Sequence, residues 1–261
     1  MGQTVVLYSP VENSNNREAT IRDALLSLDK AAKMAKKRVI IFMNEFQQIG
    51  QLRDKHVIEA SIRHAVERSQ YVSYIFSGSN RHVLLEMFSN KNRPFYKLCA
   101  TISLKRITEK SHTAFIQKHA EKKWRKPLKE SVMDEIIKLS ECHPYYLNLI
   151  CNYFWQNNEY PTVKKIGAFW DNYVETQKSI IAYDISGLSN NQKLVLKDLA
   201  IRPANQPYGN ESLKRTGLTI ASQKLAIQRL HLMDFIFKDE YGFLKVLEPA
   251  VKTFILKGHV N

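Results

Sequence analysis

The chain has 261 residues, 44% of them hydrophobic and 25% charged, which is the balance of a globular protein long enough for two or three small cores. Thirty-nine Lys and Arg against 25 Asp and Glu leave a formal net charge of +14, which points to a polyanionic partner and says nothing about fold. Its longest apolar runs have five or six residues, too short for a membrane span. The opening "MGQTVVLYSPVENSNN" lacks the basic and apolar regions of a secretory signal, so a cytoplasmic location is expected. Cys99, Cys142 and Cys151 form no C-x-x-C pair and read as reduced, buried thiols rather than a disulfide framework or zinc site.

In chain order, "ATIRDALLSLDKAAKMAK" (19–36) places Ile21, Leu25, Leu28 and Ala32 at helical spacing with lysines opposite, an amphipathic helix. The apolar run Val39 to Met43 follows directly. Its continuous hydrophobicity predicts a strand covered on both faces, as in parallel sheets. A helix over "HVIEASIRHAVERSQ", a second strand at "YVSYIF" (71–76) and a short helix over "HVLLEMF" come next, and Ala100 to Leu104 is a further candidate strand. Alternating helices and strands at this spacing predict a doubly wound α/β sheet.

After Ile107 the pattern becomes helical: "EKSHTAFIQKHAEKKW", "ESVMDEIIKLSE" and "PYYLNLICNYFWQ" are separated by Pro127 and Pro144. From Asp184 a third unit begins. Ser189 and Gln192 form a capping box with Leu188 as its staple, "NESLKRTG" closes on Gly217, and Thr219 caps "IASQKLAIQRLHLM". "FIFKDEYGFLKV" gives two short strands around a turn ending in Gly242; three helices and a hairpin are the order of a winged helix-turn-helix. The expected domains are 1–107, 108–183 and 184–261. Basic residues concentrate at 30–38 (Lys30, Lys33, Lys36, Lys37, Arg38) and 118–129 (Lys118, Lys122, Lys123, Arg125, Lys126, Lys129). Each block reads as a solvated helix face or as a polyanion contact.

Phosphoryl chemistry wants a carboxylate at a strand end to hold magnesium and a second acid to activate water. "VIIFMNE" supplies the second as Glu45 but puts Asn44 in the place of the first. One unit-charge pair at about 4 Å is worth roughly 4 kcal/mol at an effective dielectric of about 20, so the amide weakens metal affinity.

"RVIIFMNEFQQIG", "YVSYIFSGSNRHVLLEMF", "RPFYKL…ISLKRI" and "CHPYYLNLICNYFW" occur in the order found in the prokaryotic archaeal-type ATPases, a STAND branch of AAA+-like P-loop NTPases. The resemblance runs from about Ile21 to the C-terminus. It implies a P-loop NTPase-type core, a helical lid domain and a winged-helix domain, with ATP and Mg as ligands. Residue by residue, Asn44 and Glu45 resemble Walker B, with Glu45 the catalytic glutamate. "IFSGSNR" resembles sensor 1, with Ser77, Asn80 and the catalytic Arg81 near the γ-phosphate, and "HPYY" places His143 and Pro144 at the lid beside the nucleotide. Asn44 would hold Mg through water at best.

The departure is the phosphate loop. None of the nine glycines is followed by Lys, so G-x-x-x-x-G-K-[ST] does not occur. The expectation is an incomplete parallel sheet, truncated at its N-terminal side, with "TVVLYSP" either a remnant strand or unrelated sequence. Another chain fills the gap, the sheet closes around it, or the sequence is part of a longer one; ATP binding by the chain alone is doubtful, and autonomous hydrolysis is not expected. "FSGSN" is not a G-x-S-x-G elbow, and no metal-spaced cluster stands out.

The alternative function is a non-enzymatic winged-helix module binding DNA or a protein. Ala226, Leu230 and Met233 then form an inner stripe. Lys224, Gln228 and His231 face outward to read a groove, while Lys238 and Lys245 on the wing touch phosphates.

Overall fold

The computed structural model describes residues 17–102, 104 and 106–258; the "TVVLYSP" stretch lies outside them. The chain divides into two compact units, 1–102 and 103–261.

The first unit runs α1 (Arg17–Met34), β1 (Val39–Met43), a 3-10 turn (Phe46–Gln51), α2 (Lys55–Arg68), β2 (Val72–Phe76) and α3 (Arg81–Ser89). β1 and β2 pair in parallel from Val39↔Val72 to Met43↔Phe76. Asp29 of α1 accepts the backbone N–H groups of Gln70, Tyr71 and Val72 at 3.0, 2.7 and 3.0 Å, which ties that helix to the start of β2. Beneath the sheet, Phe46, Phe76, Phe88 and Phe95 pack ring on ring, with Phe46 and Phe76 4.3 Å apart. Glu59 of α2 and Arg93 form a fully buried ion pair there, and the Nε–Oε2 contact is 3.1 Å.

The strands depart from the expected cover on both faces. Burial alternates: Ile41, Met43, Tyr74 and Phe76 turn inward, while Ile40 (68% exposed), Phe42 (61%) and Ile75 (48%) lie open. The pair is parallel, and among the described residues helices cover only its inner face, where a doubly wound sheet would have both faces covered. The stretch from Ala100 to Leu104 forms no strand among its described residues, and Ile102 and Leu104 are 84% and 93% exposed. A strand needs a neighbour to hydrogen-bond, and β-propensity alone does not supply one.

The second unit begins with α4 (Glu109–Trp124), α5 (Glu130–Ser140), α6 (Pro144–Gln156), α7 (Val163–Thr176) and α8 (Lys178–Ser186). The last two go beyond the three helices expected there. α9 (Asn190–Ile201), α10 (Asn210–Thr216), α11 (Ile220–Leu232), the antiparallel pair β3 (Ile236–Lys238) and β4 (Leu244–Val246), and α12 (Pro249–Leu256) complete it. Ser189 and Gln192 make both bonds of the capping box, and Gly217 closes α10 at φ 69°, a left-handed conformation that suits glycine. One core, centred on Phe154, Ile150, Trp170, Leu196, Leu230 and Phe254, runs through the unit. Asp198 of α9 takes Arg215 at 2.5 Å and Ser212 at 3.1 Å from α10, while Gln223 of α11 donates to Ser212 at 2.9 Å. This buried network fixes the angles among α9, α10 and α11. No helix among the described residues is long and apolar enough to cross a membrane. The cysteines are free, but only Cys151 is buried; Cys99 is exposed.

An open apolar face on a two-stranded sheet should drive association. Wild-type protein is expected to self-associate in light scattering, and Ile40→Lys with Phe42→Lys should reduce this while changing unfolding stability by no more than about 1 kcal/mol. A monodisperse wild-type monomer would contradict this account.

Candidate nucleotide-proximal site

Because β1 and β2 end in register, the residues that follow them emerge side by side. The ladder continues past the strands: Ser77 N–H donates to Met43 O at 2.9 Å, and Phe46 N–H donates to Ser77 O at 2.8 Å. Ser77 Oγ donates to Asn44 Oδ1 at 2.7 Å. Glu45 sits in the left-handed region at φ 52°, uncommon for a side chain of its size and a form of strain often kept at functional positions. Its Oε2 accepts Ser79 Oγ at 2.8 Å and Gln47 Nε2 at 2.5 Å. The Ser79 hydroxyl first, and the Gln47 amide second, pull the Glu45 carboxyl below its ordinary value, so it is ionised at neutral pH.

Gln47 is 5% exposed, and its Oε1 has no hydrogen-bond partner. It stands where a side chain on residue 78 would go: a Cβ on Gly78 would lie 2.1 Å from that oxygen. Gly78 is therefore what lets the amide reach Glu45. Neither Gln47 nor Ser79 was singled out by sequence reasoning; the only available signal was their polarity beside the strand ends. Asn80 caps α3, its Oδ1 accepting Val83 N–H at 3.1 Å. Arg81 is the first residue of α3, and its side chain lies outside the described ones.

These residues make a poor cradle for Mg or ATP by themselves. The donor set at the strand ends is one carboxylate, Glu45, with the Asn44 amide and the Ser77 and Ser79 hydroxyls. Mg asks for hard oxygen ligands in near-octahedral order, usually with a carboxylate and substrate phosphates. No group of three or more His, Cys, Asp or Glu side chains placed to hold a metal occurs among the described residues. The Asn44 amide is also already used by Ser77.

His143 and Pro144 belong to the second unit, where Pro144 opens α6 and His143 precedes it. The backbone reaches them through two consecutive left-handed residues, Glu141 (φ 46°) and Cys142 (φ 56°). Arg106 secures that turn by donating to Glu141 O at 2.6 Å and to Leu247 O at 2.5 Å, with its guanidinium 4.5 Å above the Phe237 ring. His143 Nε2 lies 3.8 Å from Glu248 Oε1, and Tyr146 donates to Glu248 Oε2 at 2.5 Å. Burial, opposed by Glu248 and reinforced by Arg106, lowers the His143 pKa and keeps the ring neutral.

On α11, Lys224 and Gln228 are exposed, but the expected stripes need correcting. Gln223, Ala226, Ile227 and Leu230 are the buried positions; Met233 is 48% exposed at the helix end, beyond the turn that faces α9. His231 is half-buried with Nδ1 3.2 Å from Ile236 O, because β3 folds back against it. Lys238 is exposed, whereas Lys245 pairs with Asp239 at 2.8 Å.

The fold is similar to that of a solved Walker-type ATPase. A Walker-type ATPase of Pyrococcus abyssi superposes with a TM-score of 0.68 at 17% identity, over 93% of this chain and 69% of that one. At that identity the likeness establishes the fold and leaves activity to the residues. Two looser likenesses are an Aeropyrum pernix ORC2 protein in ADPNP–ADP complexes (TM-score 0.46, 11% identity, 92% and 70% covered) and an Aeropyrum pernix ORC1 protein in complex with DNA (0.36, 12%, 93% and 75%). No protein-family model and no curated protein matches the chain.

The Glu45 contacts make a measurable statement. A carboxyl held below its unfolded value contributes stability at pH above that value, and the contribution is lost as pH falls through the folded pKa. In a carbon-detected NMR titration Glu45 should titrate below the ordinary value of a free glutamate side chain. Ser79→Ala, and Gly78→Ala by displacing Gln47, should each move it upward; an unmoved Glu45 in both variants would show that these contacts do not form.

Proposed function

We propose that this chain is the Walker B, sensor 1, lid and winged-helix portion of a STAND/AAA+-like nucleotide switch, and that alone it does not hydrolyse ATP. The observation that carries this reading is the meeting of Asn44 with Ser77 and of Glu45 with Ser79 at adjacent ends of parallel strands. In open α/β sheets ligands bind outside those ends. Glu45, ionised and partly exposed, is suited to orient a water molecule, and Arg81 at the head of α3 is suited to a γ-phosphate. His143 and Pro144 take the lid position. A phosphate loop, which the sequence does not contain, would come from a partner or from a longer chain whose strand pairs with the open sheet. Phosphate handling then depends on that strand, because backbone N–H groups and a Lys must neutralise the charge. A cytoplasmic setting fits this role.

A second reading rests on α9–α10–α11–β3–β4 as a winged helix. Lys224 and Gln228 on the exposed side of α11, with Lys238 on the hairpin, favour DNA contact. The exposed Lys30, Lys33 and Lys118, Lys122 blocks would add sequence-independent affinity.

Purified chain should release no phosphate from ATP above the level of its Glu45→Gln variant. Turnover that disappears on Glu45→Gln would sink the proposal that a phosphate loop is needed from outside.

Duplex DNA binding should weaken steeply as salt rises, and Lys224→Ala with Gln228→Ala should relax sequence preference while leaving most of the salt-dependent affinity. Absence of binding at roughly physiological salt would assign the winged helix to packing instead.

A further inference from the structure

Between α4 and α6 lies a groove of about 590 Å³ that the nucleotide reading does not use. The two helices run side by side in the same direction: His112 Nε2 lies 3.3 Å from Cys142 O at one end, and the Trp124 and Trp155 rings are 5.0 Å apart at the other. Phe115 and His119 from α4, and Tyr145, Asn148, Asn152 and Trp155 from α6, form its walls. Ile116 and Cys151 close its floor, and burial pushes the Cys151 thiol up to about 12, so the floor is chemically inert.

The exposure of this groove is unusual for its chemistry. Phe115 and Tyr145 are 57% and 56% exposed, although each stands beside fully buried neighbours of the core. The spacing of Tyr145, Asn148, Asn152 and Trp155 is that of one continuous helical stripe, and Phe115 with His119 makes the matching stripe on α4. Two such stripes with an apolar floor are the cradle into which a third helix packs, ridge into groove.

Charge selects the occupant. No lining residue is acidic. Lys118 and Lys122 fall three and seven positions after Phe115, and Lys123 falls four after His119, so α4 carries the stripe onward as exposed ammonium groups. Arg125 and Lys126 follow at its end, with Lys126 Nζ 3.9 Å above the Tyr160 ring. The aromatic walls are already paired within the protein, Phe115 with His119 at 4.4 Å, Trp155 with Trp124 at 5.0 Å and Tyr145 with Tyr146 at 5.0 Å, which disfavours the stacking of bases of a nucleic-acid strand.

We infer that the α4–α6 groove is a docking site for an acidic amphipathic helix of a partner protein, its apolar stripe seated between Phe115 and Trp155 and its carboxylates facing Lys118, Lys122 and Lys123. This site stands on the groove alone, so its failure leaves the nucleotide reading untouched. The probe is a fluorescent helical peptide with leucines at i, i+3, i+4 and i+7 and glutamates elsewhere, titrated with the full chain by anisotropy. A peptide of the same composition in scrambled order and a labelled oligothymidylate serve as comparisons. The amphipathic peptide should saturate. Asn148→Glu, which places a like charge on an exposed wall, and Phe115→Ala should each weaken it at least about tenfold without altering the thermal melt. Lys122→Glu with Lys123→Glu should also weaken it and flatten its salt dependence. No saturation, equal binding of the scrambled peptide, indifference to Asn148→Glu, or Phe115-dependent saturation by oligothymidylate would each overturn the assignment.

Discussion

Parallel pairing of β1 with β2 is the constraint on which the first unit depends. A parallel ladder keeps both strands pointing the same way, so both chains leave the sheet at the same edge. The register Met43↔Phe76 then places Asn44 against Ser77. A one-residue slip of either strand would turn its inward residue, Met43 or Phe76, out of the aromatic core and present Ile40 and Phe42, or Ile75, to it. Phe46 and Phe76, packed ring to ring, hold the register, and Asp29 anchors the far end through three backbone amides. The open outer face is the other side of the same geometry: the helices of this unit have only one face to cover.

What this edge can do is decided by two substitutions of chemistry at adjacent positions. Asn44 brings hydrogen bonds without charge and spends one on Ser77. Glu45 brings charge, and the backbone bends into the left-handed region to direct it back over the strand ends, where Ser79 and Gln47 hold it. A carboxylate held in this way is an acceptor with fixed orientation, suited to positioning water and poorly suited, alone, to holding a divalent ion. The orphaned Gln47 Oε1 beside Gly78 shows how tightly the amide is fitted to that single purpose.

In the second unit, buried polar groups set the angles that hydrophobic packing leaves open. Asp198, Arg215, Ser212 and Gln223 join α9, α10 and α11, and this fixes which side of α11 remains exposed. Arg106 ties the α5–α6 turn to the segment before α12, so the His143–Pro144 entry to α6 is held by residues far away in sequence. Both networks join polar side chains to backbone carbonyls or to one another, and their removal would leave unsatisfied groups indoors.

Local pattern was sufficient for most of the elements. Helical spacing marked α1, α4 and α9, apolar runs marked β1 and β2, and capping chemistry at Ser189, Gly217 and Thr219 marked the ends of α9, α10 and the start of α11. Such signals act within a few residues, so they survive any arrangement of the rest. The order of Asn44-Glu45 and Ser77–Asn80 was equally legible, since each follows a strand. Only the tertiary structure decided that Ile40 and Phe42 lie open, that the described residues between Ala100 and Leu104 form no strand, that Gln47 and Ser79 hold Glu45, and that His231 folds against β3. Each of these depends on what a distant segment does or does not cover, and a local apolar or polar pattern carries no information about its neighbour across the fold.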